Sequence, residues 1–113
     1  MKIKINKKSY ELHNSFRAGM YFEQIMDRPI NFSKLSQLDL FTFFYCVVQA
    51  TLEYNKADVS MTINEFKDWI DDNGGELVVA EFTTWYIKEM EKEADLAKKK
   101  FGKKEGAKVD ENF

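Results

Sequence analysis

Nucleophilic or metal chemistry in this chain would have to draw on very few groups. His13 is the only histidine and Cys46 the only cysteine. A thiol nucleophile needs a neighbouring base to activate it, and a zinc site needs several nitrogen or sulfur ligands together. Spacing alone permits a Cys46–His13 dyad, the less favoured reading. His13 reads as a turn or helix-start residue, and Cys46, inside an apolar run, as a small buried hydrophobe. The densest oxygen cluster is Asp71, Asp72, Asn73 and Glu76. A calcium loop counted from Asp71 would require glycine at its sixth position and glutamate at its twelfth, where Glu76 and Phe82 stand. The cluster therefore reads as a helix terminus, and Asp68 with Asp72 as a solvated face. Gly74-Gly75 lacks the lysine and hydroxyl residue of a phosphate-binding loop. The expectation is a protein with no catalytic residues, no metal and no cofactor.

The residues that stand out are apolar. Between Leu38 and Tyr54 they fall on almost every face of a predicted helix, which other elements must then surround. A chain of 113 residues is one domain, large enough for a single core. It carries ten Phe, five Tyr and two Trp, and its one Cys excludes an internal disulfide. The first residues alternate charge with apolar side chains and contain no signal-peptide run, and the central run is too short and polar to span a membrane. A soluble cytoplasmic protein is expected.

Lys2 to Ile5 and Ser9 to Leu12 alternate, with Ile3, Ile5, Tyr10 and Leu12 inward and Asn6 to Lys8 as the turn, which predicts a hairpin. Two strands are marginal alone, so their apolar face needs a cover. A first helix is predicted from Ser15 to Asp27, its inner face supplied by Phe16, Met20 and Ile25 with Phe22 or Met26, and Pro29 ends it. Ser36 with Asp39 starts a second helix reaching Tyr54 or Asn55. Thr62-Ile63-Asn64-Glu65 is a capping box opening a third, with Ile63, Phe66, Trp69 and Ile70 as its stripe and Asn73-Gly74-Gly75 as its stop. A fourth runs from Glu76 to at least Met90, with Val78, Phe82, Trp85 and Tyr86 on one side. The fold class is α+β, mainly helical: an N-terminal β-hairpin and about four helices in a small bundle. Residues 1–95 form the domain; residues 96–113 form a lysine-rich helical extension and a flexible tail from Gly102.

Residues 1–87 carry a net charge of −3 and residues 88–108 a net charge of +3. Lys98, Lys99, Lys100, Lys103 and Lys104 are the candidate electrostatic contacts, able to attract phosphates or an acidic protein surface. Four helices and a hairpin of this length struggle to enclose every ring. Phe43, Tyr45, Tyr54, Trp85 and Tyr86 are therefore the candidate protein-binding residues on an exposed apolar patch.

The opening MKIKINKKSYELHNSFRAGMYFE, the Phe-rich central helix, TINEFKDWIDDNGG and a last amphipathic helix together resemble the tail assembly chaperones of long-tailed bacteriophages. The resemblance covers roughly residues 1 to 95 and rests on element order and texture. It implies a small, largely helical, non-catalytic protein of the host cytoplasm that keeps hydrophobic helices of the tape-measure protein soluble during tail assembly. Self-association is compatible with it. Many members of that family are also made in a longer, frameshifted form, and Lys98-Lys99-Lys100 suits an adenine-rich slippery sequence. Two other readings stand beside it: a small nucleic-acid-binding or adaptor protein using the lysine-rich segment, and a structural virion component.

Overall fold

The computed structural model describes the backbone of residues 1–102 and the side chains of residues 1–100. The expected tail from Gly102 onward, with Lys103 and Lys104, lies outside the described residues apart from the backbone of Gly102. The fold is a small α+β domain, an N-terminal β-hairpin followed by four helices packed as a bundle. Its elements are β1 (Lys2–Ile5), β2 (Lys8–Glu11), α1 (Phe16–Met26), α2 (Gln37–Tyr54), α3 (Ile63–Asp72) and α4 (Glu76–Ala97), followed by a π-helical turn at Lys98–Gly102. The chain divides into two compact units, Met1–Thr83 and Thr84–Phe113, and α4 runs through the boundary.

In the first unit the hairpin is antiparallel, with Ile3 opposite Tyr10 and Ile5 opposite Lys8. Its connection is therefore the two residues Asn6 and Lys7, at φ 51° and 68°. Positive φ at both positions matches the right-handed strand twist, and Asn tolerates it better than most residues. Lys8 belongs to β2 rather than to the turn. Ile3, Ile5, Tyr10 and Leu12 are buried, as the alternation requires. The cover for this face comes from the helices: β2 packs on α2, and the indole Nε1 of Trp69 on α3 donates to the Lys4 carbonyl at 2.8 Å.

The helix α2 is the axis of the core. Ser36 Oγ accepts from the Asp39 amide at 3.0 Å and the Asp39 carboxylate accepts from the Ser36 amide at 3.3 Å, closing a capping box. Asp39 has a second role that its sequence position does not announce. It is 4 % exposed and takes a 2.6 Å hydrogen bond from Arg28, which follows α1. Burial opposes its charge, but Arg28 and Ser36 outweigh that penalty and hold the carboxyl below the ordinary aspartate value. Phe44, Phe66 and Phe82 form the centre of the packing. Phe44 stacks on Phe82 at 4.3 Å, meets Phe66 edge-on at 5.1 Å, and Phe66 lies parallel to Trp69 at 5.5 Å. Burying each of these rings stabilises the fold by about 1.5–3 kcal/mol.

Both sequence signals at α3 hold. Thr62 and Glu65 exchange the two bonds of a capping box, at 3.1 Å and 2.8 Å. Beyond α3, Gly74 and Gly75 adopt φ 116° and 58°, and the Gly75 amide returns to the Ile70 carbonyl at 2.8 Å. A side chain at Gly74 would be strained by that φ even though space for it exists. Phe66, Trp69 and Ile70 are buried, whereas Ile63, at the first helical position, lies at the edge with 36 % exposed.

The inner face of α1 differs from the expected one. Ala18 and Phe22 are its buried residues, and Phe16, Met20 and Ile25 point outward. The row Ala18–Phe22 satisfies the i, i+4 rule as well as Phe16–Met20 does. It prevails because Phe22 reaches the Phe43 ring of α2, edge-on at 6.3 Å, while Ala18 leaves room for the backbones to approach.

In the second unit, α4 continues with mixed charges. Lys92 pairs with Glu89 at 3.1 Å, an exposed contact of minor energetic weight. Leu96 is 64 % exposed, and Lys98, Lys99 and Lys100 are exposed in the π-helical turn.

Candidate functional site: a groove between the first two helices

Pairings fix α1 and α2 as antiparallel neighbours: Arg17 meets Glu53 at the start of α1, and Arg28 meets Asp39 just beyond its end. The lead-in to α1 is pinned by a buried threonine. Thr51 Oγ1 donates to the Val47 carbonyl at 2.8 Å and accepts from the His13 amide at 3.0 Å. This satisfies a backbone donor ahead of the helix and places the His13 ring over Tyr54, with centroids 3.9 Å apart and planes within 9°.

The result is an open groove of about 510 Å³ lined by His13, Phe16, Met20, Ala50 and Tyr54, with Ser15, Arg17 and Tyr21 also at its walls. Three of its apolar members lie open, Phe16 at 85 % exposed, Tyr54 at 62 % and Met20 at 49 %, while Ala50 is buried at its floor. Arg17 Nη1 and the Tyr21 hydroxyl both donate to Glu53 Oε1, at 3.1 and 2.5 Å. The bond to Glu53 raises the Tyr21 pKa, with burial and the carboxylate's charge adding to it. This carboxylate is thus engaged by two donors. Farther along α1, Met20 also lines a smaller hollow of about 320 Å³ with Glu23, Gln24 and Asp27. The surface passes from apolar at the start of α1 to acidic at its end.

Of the residues expected to bind a partner, Tyr54 alone stands in this groove. Phe43 is a core residue, 3 % exposed, with Phe32 edge-on at 5.5 Å and Phe82 at 6.1 Å. It is therefore not on an exposed patch. Tyr45 is half-buried, and its hydroxyl donates to the Met61 carbonyl at 2.6 Å, fastening the loop before α3. Trp85 and Tyr86 belong to the second unit, half-buried with centroids 6.1 Å apart; burial and Glu93 raise the Tyr86 pKa. The members missed by sequence reasoning are the half-buried His13 and the exposed Phe16 and Met20. The available signal was the competing Ala18–Phe22 row, which, if buried, turns Phe16 and Met20 outward.

Catalytic chemistry finds no such assembly in the two groups considered first. Cys46 is fully buried, and burial pushes its thiol up to about 12. It sits two turns up α2 from Tyr54, about 12 Å along the axis, while the His13 ring lies on Tyr54. Among the described residues no group of three or more His, Cys, Asp or Glu is placed to hold a metal ion. Asn73, in the oxygen-rich cluster, donates from Nδ2 to the Trp69 carbonyl at 2.8 Å and so helps close α3. Among the described residues no helix is long and apolar enough to cross a membrane.

Comparison with family models, curated proteins and solved structures gives no match.

Proposed function

We propose that this protein is a non-catalytic chaperone of bacteriophage tail assembly, acting in the host cytoplasm and binding hydrophobic helical segments of a tape-measure protein. The observation that carries the reading is the α1–α2 groove, where Phe16, Met20 and Tyr54 stand open beside a well-packed core. Exposed apolar side chains clustered on a small domain mark surfaces that meet other proteins. A cleft between two helices suits a third, laid in by its apolar face. Covering about 600 Å² of apolar surface supplies on the order of 15 kcal/mol gross, from which association and ordering costs remove a large part. The outcome is reversible capture, as a chaperone requires. The resemblance of residues 1 to 95 to the tail assembly chaperones supplies the identity of the captured chain.

The test is co-expression with the proteins encoded beside it, followed by co-purification. Capture of a long, helical, tape-measure-like protein, lost in Phe16→Glu while the variant keeps its helical circular dichroism, is the expected result. Consistent failure to co-purify such a protein overturns the reading. A salt-sensitive gel shift with duplex DNA or RNA, abolished by replacing Lys98, Lys99 and Lys100, would instead favour the nucleic-acid alternative. Retention in mature particles would favour a virion component.

A further inference from the structure

The groove is electrostatically lopsided, and the lopsidedness specifies its occupant. Charged side chains of both signs flank the apolar part and its continuation. Arg17 is paired with Glu53, and Arg28, next to the end of α1, is paired with Asp39 and lies over the Phe22 ring at 5.7 Å. Glu23 and Asp27 make no ion pair among the described residues, and both line the hollow that adjoins Met20. The last turn of α1 carries no basic residue, although a helix C-terminus bears partial negative charge and favours cations. Two carboxylates are thus added to the negative end of a helix dipole, one turn from exposed apolar side chains. Within this chain that arrangement is unfavourable; a bound cation relieves it.

We propose that the α1–α2 groove selects an amphipathic helix that is apolar at one end and basic at the other. Apolar side chains three or four residues apart seat against Phe16, Met20 and Tyr54. A lysine or arginine one to two turns farther along reaches Glu23 and Asp27. The inference rests on the chaperone reading and deepens it: it states which segments of a long helical client are held, namely those where an apolar stripe runs into a basic turn. Apolar contact supplies the grip, and the charge sets register and direction.

The test uses the full chain and labelled synthetic helices of about 18 residues, long enough to hold helical structure in water. One peptide carries leucines at i and i+4 followed by two lysines. A second replaces the lysines with glutamates, and a third keeps the lysines but replaces the leucines with serines. Fluorescence anisotropy at low salt is expected to show the leucine–lysine peptide bound about tenfold more tightly than the leucine–glutamate one, the preference shrinking as salt rises. The serine–lysine peptide is expected not to bind. The double variant Glu23→Lys, Asp27→Asn removes the preference while leaving the thermal melt in place; asparagine suits the left-handed conformation of residue 27. Phe16→Ala weakens both leucine peptides together. Equal binding of the lysine and glutamate peptides overturns the proposal, as does tight binding of the serine–lysine peptide. Failure of every peptide to bind also overturns it, and an oligomer dissolved by Phe16→Ala would then identify a second copy as the occupant. Peptide preference without capture of a tape-measure-like protein sinks the assembly reading alone. Capture that survives Glu23→Lys, Asp27→Asn, with no peptide preference, sinks the groove's polarity alone.

Discussion

The helices α1 and α2 lie side by side and treat their apolar residues in opposite ways. Along α2, Phe43, Phe44, Val47, Val48 and Leu52 are all buried, and a closed capping box starts the helix. Along α1 only Ala18 and Phe22 are buried, the N-cap Ser15 makes no side-chain capping hydrogen bond, and neither terminal turn carries a charge complementary to the helix dipole. The middle of α2 holds the molecule together, while α1, with Tyr54 at the end of α2, carries exposed apolar side chains. Apolar content alone therefore does not distinguish buried from exposed side chains.

The contrast predicts that damage to the two regions reads out differently. The largest effect falls on Phe44, fully buried among Phe66, Trp69 and Phe82. Phe44→Ala removes about 3–5 kcal/mol of stability, measured by urea unfolding, and much of the fold is lost with it. A smaller but pH-dependent effect belongs to Asp39→Asn. The folded carboxyl is held below 3.8, so its stabilisation is complete above that pH and fades as the pH drops through the depressed value. The stability gap between the native chain and Asp39→Asn is expected to close in acid, and a gap that widens there refutes the assignment. Thr62→Ala, which opens the capping box of α3, lowers stability by about 1 kcal/mol in the same unfolding assay.

Phe16→Ala sits at the other extreme. Its ring is 85 % exposed, so stability changes by less than about 0.5 kcal/mol while capture of an apolar helix falls roughly tenfold. If Phe16→Ala unfolds the protein, or leaves capture untouched, the division of labour between α1 and α2 is wrong.

Local chemistry made most of the fold legible in the sequence. Ser36 with Asp39, Thr62 with Glu65, and Gly74-Gly75 each act within a few residues of themselves, so their consequences are written where they stand. The alternation of Ile3, Ile5, Tyr10 and Leu12 is equally local. The rotation of α1 is not. Two rows, Phe16–Met20 and Ala18–Phe22, have helical spacing, and the choice is made by the shape of α2 opposite them. For the same reason Tyr54 was rightly read as exposed and Phe43 was misplaced: both are aromatic residues on one helix, separated only by what packs against each. Asp39 was legible as a cap, but its partnership with Arg28 depends on how the chain turns at Pro29.

The bond from the Trp69 indole to the Lys4 carbonyl joins residues 65 positions apart. During synthesis at the ribosome the hairpin emerges before α3, so this tether arrives only after α3 has been made. Until then only the packing of β2 on α2 secures the strands, and a lone hairpin is barely stable in water. A nascent chain stalled before Trp69 would show the hairpin open to protease, and release of a few dozen further residues would close it.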